Sequence, residues 1–314
     1  MRLKRAIVTT FDGDPFLLHF WLHLYKKYWG GEVDKVYLSI AHHPLHSTAE
    51  IVDYENGLLS HFHKILYFPY FHPTNPETRN QFLIPKVREG LLGLIESDGF
   101  IFGKGIVNDC FNKVEKQKYD IVASDYQVIP PPLADSLGRG WARNFFFCRT
   151  KYFKSIDMDF MPREDMGVAF DCFGWICAQI ANKHPRVYEI PSNMLHPDST
   201  YSPELYSAYK WLHVRQMGSS MLGLGNGEDY RAIRDNNEEK MNYFLGQVNS
   251  VNNRWVFTKT AAFKTLIWKY FPDKDKIPNF SGEYERVLNT FIDKTGIRGD
   301  VDKMVDYFEN IIKP

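Results

Sequence analysis

Short apolar, β-branched runs alternate with helix-period segments along most of the chain, and each run stops at a polar or acidic break. Residues 6–11 form the first run; Asp12-Gly13-Asp14-Pro15 ends it, and a helical period starts near Phe16. Residues 33–40 and 65–68 read as further strands, with a helix over 49–62 between them. A helical period over 79–89 leads into Leu91-Leu92-Gly93-Leu94-Ile95. This run is apolar on both faces, which predicts a central strand ending at Glu96-Ser97-Asp98-Gly99. A helix over 106–118, strands over 119–124 and 145–150, a helix over 170–182 and a strand over 186–190 continue the alternation. Strands separated by helices pair mostly in parallel, because a parallel neighbour requires a crossover. The expected fold class is therefore α/β, a mainly parallel sheet flanked by helices.

Two segments depart from this rhythm. Residues 129–143 include three consecutive prolines and read as a loop long enough to be a lid, with Arg139 and Arg143 available to close over a ligand. From about Gly225 the pattern changes to a glycine-rich hinge and then a lysine-rich, mostly helical stretch broken at Pro272 and Pro278. The expected division is an α/β domain at 1–225 and a helical C-terminal region at 226–314.

Composition narrows the function classes. With 38 basic and 38 acidic residues the chain has no global positive field, so a polyanionic partner must be met by a local patch. Cys110, Cys148, Cys172 and Cys177 form no CxxC pair and read as half-buried structural thiols of a reduced, cytoplasmic protein, in the host cytoplasm if the gene is viral. The basic N-terminus has too few apolar residues for a secretory signal, and no run approaches the ~18 apolar residues of a membrane span. Neither secretion nor membrane insertion is expected. Aromatics make up 16% of the chain; the segment HFWLHLYKKYW fits an amphipathic helix packed on the sheet, or the lining of a sugar or base pocket.

Candidate chemistry lies at the predicted strand ends, where open α/β sheets bind ligands. Thr10-Phe11-Asp12 follows the first strand, and its carboxylate suits hydrogen bonds from a base or ribose. Glu96-Ser97-Asp98 follows the buried central strand, where strand alternation would send side chains i and i+2 to one face. Two carboxylates together with phosphate oxygens suit a hard cation such as Mn²⁺ or Mg²⁺. Arg79 and Lys86 lie two helical turns apart ahead of this triplet and are expected to turn positive charge toward a diphosphate.

A strand with Thr-Thr-Phe-Asp near the N-terminus, a basic helix, and then a buried strand ending in acid-x-Asp resembles the glycosyltransferases of the GT-A fold over roughly residues 4–220. The resemblance implies that Glu96 and Asp98 bind the metal and the diphosphate of a nucleotide sugar, UDP-linked by expectation, with Ser97 beside them. Glu replaces the more usual Asp at the first position, which makes Asp98 the surer ligand. It further implies that an acidic loop opening a helix under the acceptor supplies a general base. Arg163-Glu164-Asp165-Met166-Gly167 fits, with Asp171 close by, so Glu164, Asp165 and Asp171 are the candidates for an inverting transfer. The alternative is that Glu164 and Asp165 favour a helix N-terminus. A histidine late in the domain often completes the metal contacts of such enzymes. His213, with Gly218 and Ser219 as backbone donors to phosphate, is preferred over His196.

The acceptor is left between two classes. The opening Thr-Thr-Phe-Asp and the late Trp211-Leu212-His213-Val214 more distantly resemble phage-type enzymes that glycosylate hydroxymethylated pyrimidines in DNA, relatives of the base J glucosyltransferases. Lysine- and tryptophan-containing stretches at 254–269 and 274–276 would then meet phosphates and unstacked bases. A surface glycan is the other acceptor. Nucleotidyl transfer on a similar fold is a competing class, although Asp12-Gly13-Asp14-Pro15 lacks the basic, glycine-rich loop it requires. A binding module for carbohydrate or nucleic acid is the non-enzymatic alternative.

Overall fold

The computed structural model describes residues 2–11, 15–41, 57, 59–60, 62–68, 79–125, 141–160, 163–165, 168–170, 173–190, 193–194, 204–206, 211–213, 237–239, 242, 246, 251–270 and 281–312. Seven strands form the main sheet: β1 (Arg5–Phe11), β2 (Lys35–Ala41), β3 (Lys64–Phe68), β4 (Leu91–Ile95), β6 (Ile121–Asp125), β7 (Trp141–Arg149) and β10 (Val187–Ile190), in the order β10-β6-β7-β4-β1-β2-β3. Every neighbour is parallel except β7, which runs antiparallel to both β4 and β6. Helices α1 (Pro15–Leu24), α2 (Asn80–Leu83), α3 (Ile106–Glu115), α4 (Thr150–Phe153) and α5 (Gly174–Ala181) connect them. Proline opens α1, where its fixed φ suits a first helical turn and its missing N–H costs nothing. The expected α/β class, with helices flanking a mainly parallel sheet, is what the chain forms.

β1 and β4 are buried throughout, and the two faces of the sheet feed two hydrophobic clusters. Ile7 and Phe11 point to one cluster with α1 and α3, while Ala6 and Val8 point to the other with α5, as the period-2 alternation of a strand requires. The C-terminal helices α6 (Val251–Tyr270), α7 (Ser281–Thr295) and α8 (Arg298–Ile312) join the first cluster through Phe263, Phe291 and Phe308. The helical region therefore shares a core with the sheet. Cys110, Cys148 and Cys177 are fully buried rather than half-buried, and burial pushes the Cys110 and Cys148 thiols well above their usual range.

Several boundaries move from those predicted. The helix expected over 79–89 is α2 plus a tight 3-10 turn over Ile84–Lys86, with Pro85 near its start, and Val87 is already extended. β7 begins at Trp141, so Arg143 stands on a strand rather than in the expected lid; Arg139 lies outside the described residues. Part of the segment expected as a helix over 170–182 is instead strand β9 (Val168–Phe170), and α5 starts only at Gly174.

Two buried polar clusters pin the amino rim of the sheet. The Arg5 guanidinium, 2% exposed, donates to Asn108 Oδ1 at 2.7 Å and Asn112 Oδ1 at 3.0 Å, and lies over the Phe111 ring, clamping α3 to β1. Glu89 accepts from the Tyr37 hydroxyl at 2.8 Å and pairs with Lys35 at 3.1 Å, tying the approach to β4 to β2. Burial opposes ionisation of Glu89, but the bonds from Tyr37 and Lys35 outweigh it and hold the carboxyl below its ordinary 4.5. Burial, and then the hydrogen bond to Glu89, push the Tyr37 phenol up to about 12.

At the centre of β4, a Cβ on Gly93 would come within 2.6 Å of Phe147 Cε1 and 2.7 Å of Ile7 Cδ1. Gly93→Ala is expected to cost about 1–3 kcal/mol by overpacking, read as a lower urea midpoint with unchanged m-value. The Glu89 contribution to stability is present above pH 4.5 and is lost as pH falls through its lowered folded value. That of Tyr37 is present below pH 10 and is lost as pH rises toward about 12. Urea unfolding across pH should therefore show an alkaline decline that Tyr37→Phe flattens.

Candidate active site

The strand order reverses between β1 and β4: the chain moves outward from β1 through β2 to β3, then returns to add β4 on the other side of β1. A crevice opens at such a switch point beyond the carboxyl ends of the two strands. Here those ends are Thr10 and Phe11 of β1, both buried, and Glu96 after β4, with Val8 paired to Leu94 just before the rim. Asp12 lies outside the described residues.

The acidic triplet forms a tight turn, because the Gly99 N–H donates back to the Glu96 carbonyl at 3.1 Å. Strand alternation therefore stops at Ile95, and the same-face argument for Glu96 and Asp98 does not apply; the turn places them instead. Asp98 is 8% exposed, and Glu96 and Ser97 are half-buried. After the turn the chain leaves the main sheet as β5 (Gly99–Ile101) and enters a four-stranded sheet, β11-β12-β13-β5, built with β11 (Asn193–Met194), β12 (Glu204–Tyr206) and β13 (Trp211–His213). β13 runs antiparallel to β5 with His213 opposite Gly99, so the backbone of His213 stands beside the residue that follows Asp98. The triplet is thus the corner between two sheets, with the preferred histidine in register against it.

Two groups brace this corner. Arg79, 2% exposed, donates from Nη1 to the Phe11 carbonyl at 3.3 Å and fixes the end of β1. Phe100, one residue beyond Gly99, packs against Phe20 of α1 at 5.4 Å and Phe263 of α6 at 4.8 Å between ring centroids. Sequence reasoning missed β5 and these contacts. The signal available was the apolar run of residues 99–102 directly after the acids, too short to separate from the turn.

Other candidates fall elsewhere. Lys86 is exposed while Arg79 is buried, so the two do not make one charged helix face; the 3-10 turn and Pro85 rotate them apart. Glu164 and Asp165 lie on β8 (Arg163–Asp165), in a hairpin with β9 that sets Glu164 opposite Ala169 and Asp165 opposite Val168. They do not open a helix, which removes both the expected helix-opening loop and the helix-dipole alternative. Asp171, His196, Gly218 and Ser219 lie outside the described residues. Most of the stretch 254–269 faces inward: α6 is buried almost continuously from Phe257 to Trp268, with Lys259 and Lys264 inside, while Arg254 and Lys269 reach solvent at its ends; 274–276 lie outside the described residues.

Among the described side chains no group of three or more His, Cys, Asp or Glu is arranged to hold a metal ion. The donor set at the turn is two carboxylates, which suits a cation that completes its shell with phosphate oxygens and water.

No family model matches the chain, and no curated protein matches it. Among solved structures, the chain is similar to S. aureus TarS 1-349 in complex with UDP-GlcNAc, at 13% identity and TM-score 0.39 over 97% of this chain and 84% of that one. It is similar to the mannosyltransferase PcManGT from Pyrobaculum calidifontis in complex with GDP-Man and Mn²⁺, at 9% identity and TM-score 0.42 over 99% and 88%. A shorter match, to the galactosyltransferase LgtC with donor and acceptor sugar analogs, has 8% identity and TM-score 0.33 over 49% and 60%. Among the described residues no helix is long and apolar enough to cross a membrane.

Because Phe263 supports Phe100, Phe263→Ala is expected to cost about 3–5 kcal/mol and to loosen the corner from behind. Hydrogen exchange should show faster amide exchange at residues 99–101 than in β1.

Proposed function

We propose that the chain is a nucleotide-sugar glycosyltransferase that binds its donor diphosphate at the turn Glu96-Ser97-Asp98. The observation that carries this reading is the position of an acidic turn, with Asp98 buried, at the switch point between β1 and β4, where open α/β sheets bind their ligands. Asp98 and Glu96 would hold Mn²⁺ or Mg²⁺, with His213 or His196 completing the contacts. When bound, the cation supplies charge neutralisation for the departing diphosphate. Thr10, Phe11 and Asp12 would line the nucleoside side, with Arg79 fixing that strand end, and Gly218 and Ser219 would offer backbone donors to phosphate.

Transfer needs a base on the acceptor side. One of Glu164, Asp165 and Asp171 takes the proton of an acceptor hydroxyl; the oxygen bonds to the anomeric carbon, and the bond from that carbon to the diphosphate breaks, releasing a nucleoside diphosphate with inversion. The acceptor is the hydroxyl of a modified DNA base or of a glycan.

Donor binding is tested by melting temperature with a panel of nucleoside diphosphates and nucleotide sugars, with and without Mn²⁺. One nucleotide sugar should stabilise the wild type by a few degrees in a Mn²⁺-dependent way, and Asp98→Ala should lose that response. An equal response from Asp98→Ala would remove the metal site. Single alanine substitutions at Glu164, Asp165 and Asp171, compared by turnover, identify the base: it loses on the order of 10²-fold or more in kcat with donor affinity kept. Full turnover in all three would overturn the assignment.

A further inference from the structure

Positive charge is concentrated on the rim of the sheet opposite the crevice. β6, β7 and β10 end there in register, with Ile121 between Cys148 and Val187. The turn after α3, helix α4 and the turn after α5 meet at this rim. Lys183 Nζ donates to the Ser155 carbonyl at 2.8 Å, Arg186 Nη1 donates to the Gln117 carbonyl at 3.4 Å, and the Arg186 N–H donates to Asp120 at 2.9 Å. Lys116, Lys118, Lys151, Lys154, Lys183 and Arg186 are all exposed on these three segments. Asp157, and Glu189 on β10, are the exposed acids among them. In a chain of balanced charge, this is a segregated positive surface.

Aromatic rings are interleaved with the cations. The Arg186 guanidinium lies 4.4 Å from the Tyr119 ring centroid, Tyr119 meets Tyr188 edge-on at 5.4 Å, and Lys113 Nζ lies 4.5 Å over Tyr188. Both tyrosines are half-exposed. Lys118 and His184 hold left-handed φ values of 61° and 49°. Glycine or asparagine would relieve that backbone, and the chain presents a basic side chain at each. We infer that this rim binds single-stranded nucleic acid, the lysines meeting phosphates and the tyrosine–arginine ladder meeting unpaired bases. The surface lies at the amino ends of β6 and β10, so it is separate from the donor crevice and does not depend on the donor reading.

Fluorescence anisotropy of a labelled oligothymidine of about 20 nucleotides, at about 50 mM and 200 mM salt, tests it, with inorganic polyphosphate of matched charge as competitor. The wild type should bind with steep salt dependence. The combined variant Lys116→Glu, Lys151→Glu, Lys154→Glu should bind on the order of tenfold or more weakly, with a salt slope smaller by about two. Its melting temperature and its response to nucleotide sugar should stay unchanged, so this inference and the donor reading fail separately. Tyr119→Leu should weaken the oligonucleotide and not polyphosphate. No binding by the wild type at the lower salt, or wild-type affinity in the combined variant, overturns the proposal. So does a Tyr119→Leu variant that leaves both ligands unchanged, since that describes a surface for any polyanion.

Discussion

The position of the acidic turn depends on how closely β1, β4 and β7 approach at Gly93. With no side chain there, Phe147 from the antiparallel neighbour and the Ile7 side chain from the parallel one fill the space a Cβ would occupy. β4 then packs between two strands of opposite direction, buried throughout, and stops at Ile95. A side chain at this position would push the strands apart at the level that sets where the turn begins. Dense packing at mid-strand is thereby converted into a fixed position for two carboxylates at the rim.

The sheet was largely legible because its strands are short apolar runs with clear acidic or proline breaks; β4 was read to the residue. What was not legible depended on contacts distant in sequence. Nothing local says that the strand ending at Arg149 runs antiparallel, since its apolar character matches that of its parallel neighbours. The acids Glu164 and Asp165 read as a loop opening a helix, yet they stand on a strand because β9 is there to pair with it. Arg79 and Lys86 looked like one face only while the helix was assumed continuous through Pro85. Glu96 and Asp98 stand at the end of a buried strand, as their sequence suggests, but a turn rather than strand alternation places them.

Charge shows the same contrast between composition and placement. A lysine-rich C-terminal stretch suggested a polyanion surface, yet the helix it forms is buried among Phe20, Phe100 and the helices that follow. The exposed cations come instead from three short connections that are unremarkable one at a time and become a surface only because three neighbouring strands end together. The sheet thus separates an acidic corner at one rim from a basic face at the other.

The contact of Phe100 with Phe263 also sets an order in time. The acidic turn leaves the ribosome early, while the helix that braces it from behind is made much later, after both sheets have been synthesised. A nascent chain halted between them would carry the carboxylates without the packing that steadies β5. The packing behind the corner is therefore complete only after synthesis has passed α6, so β5 gains its last support late in the making of the chain.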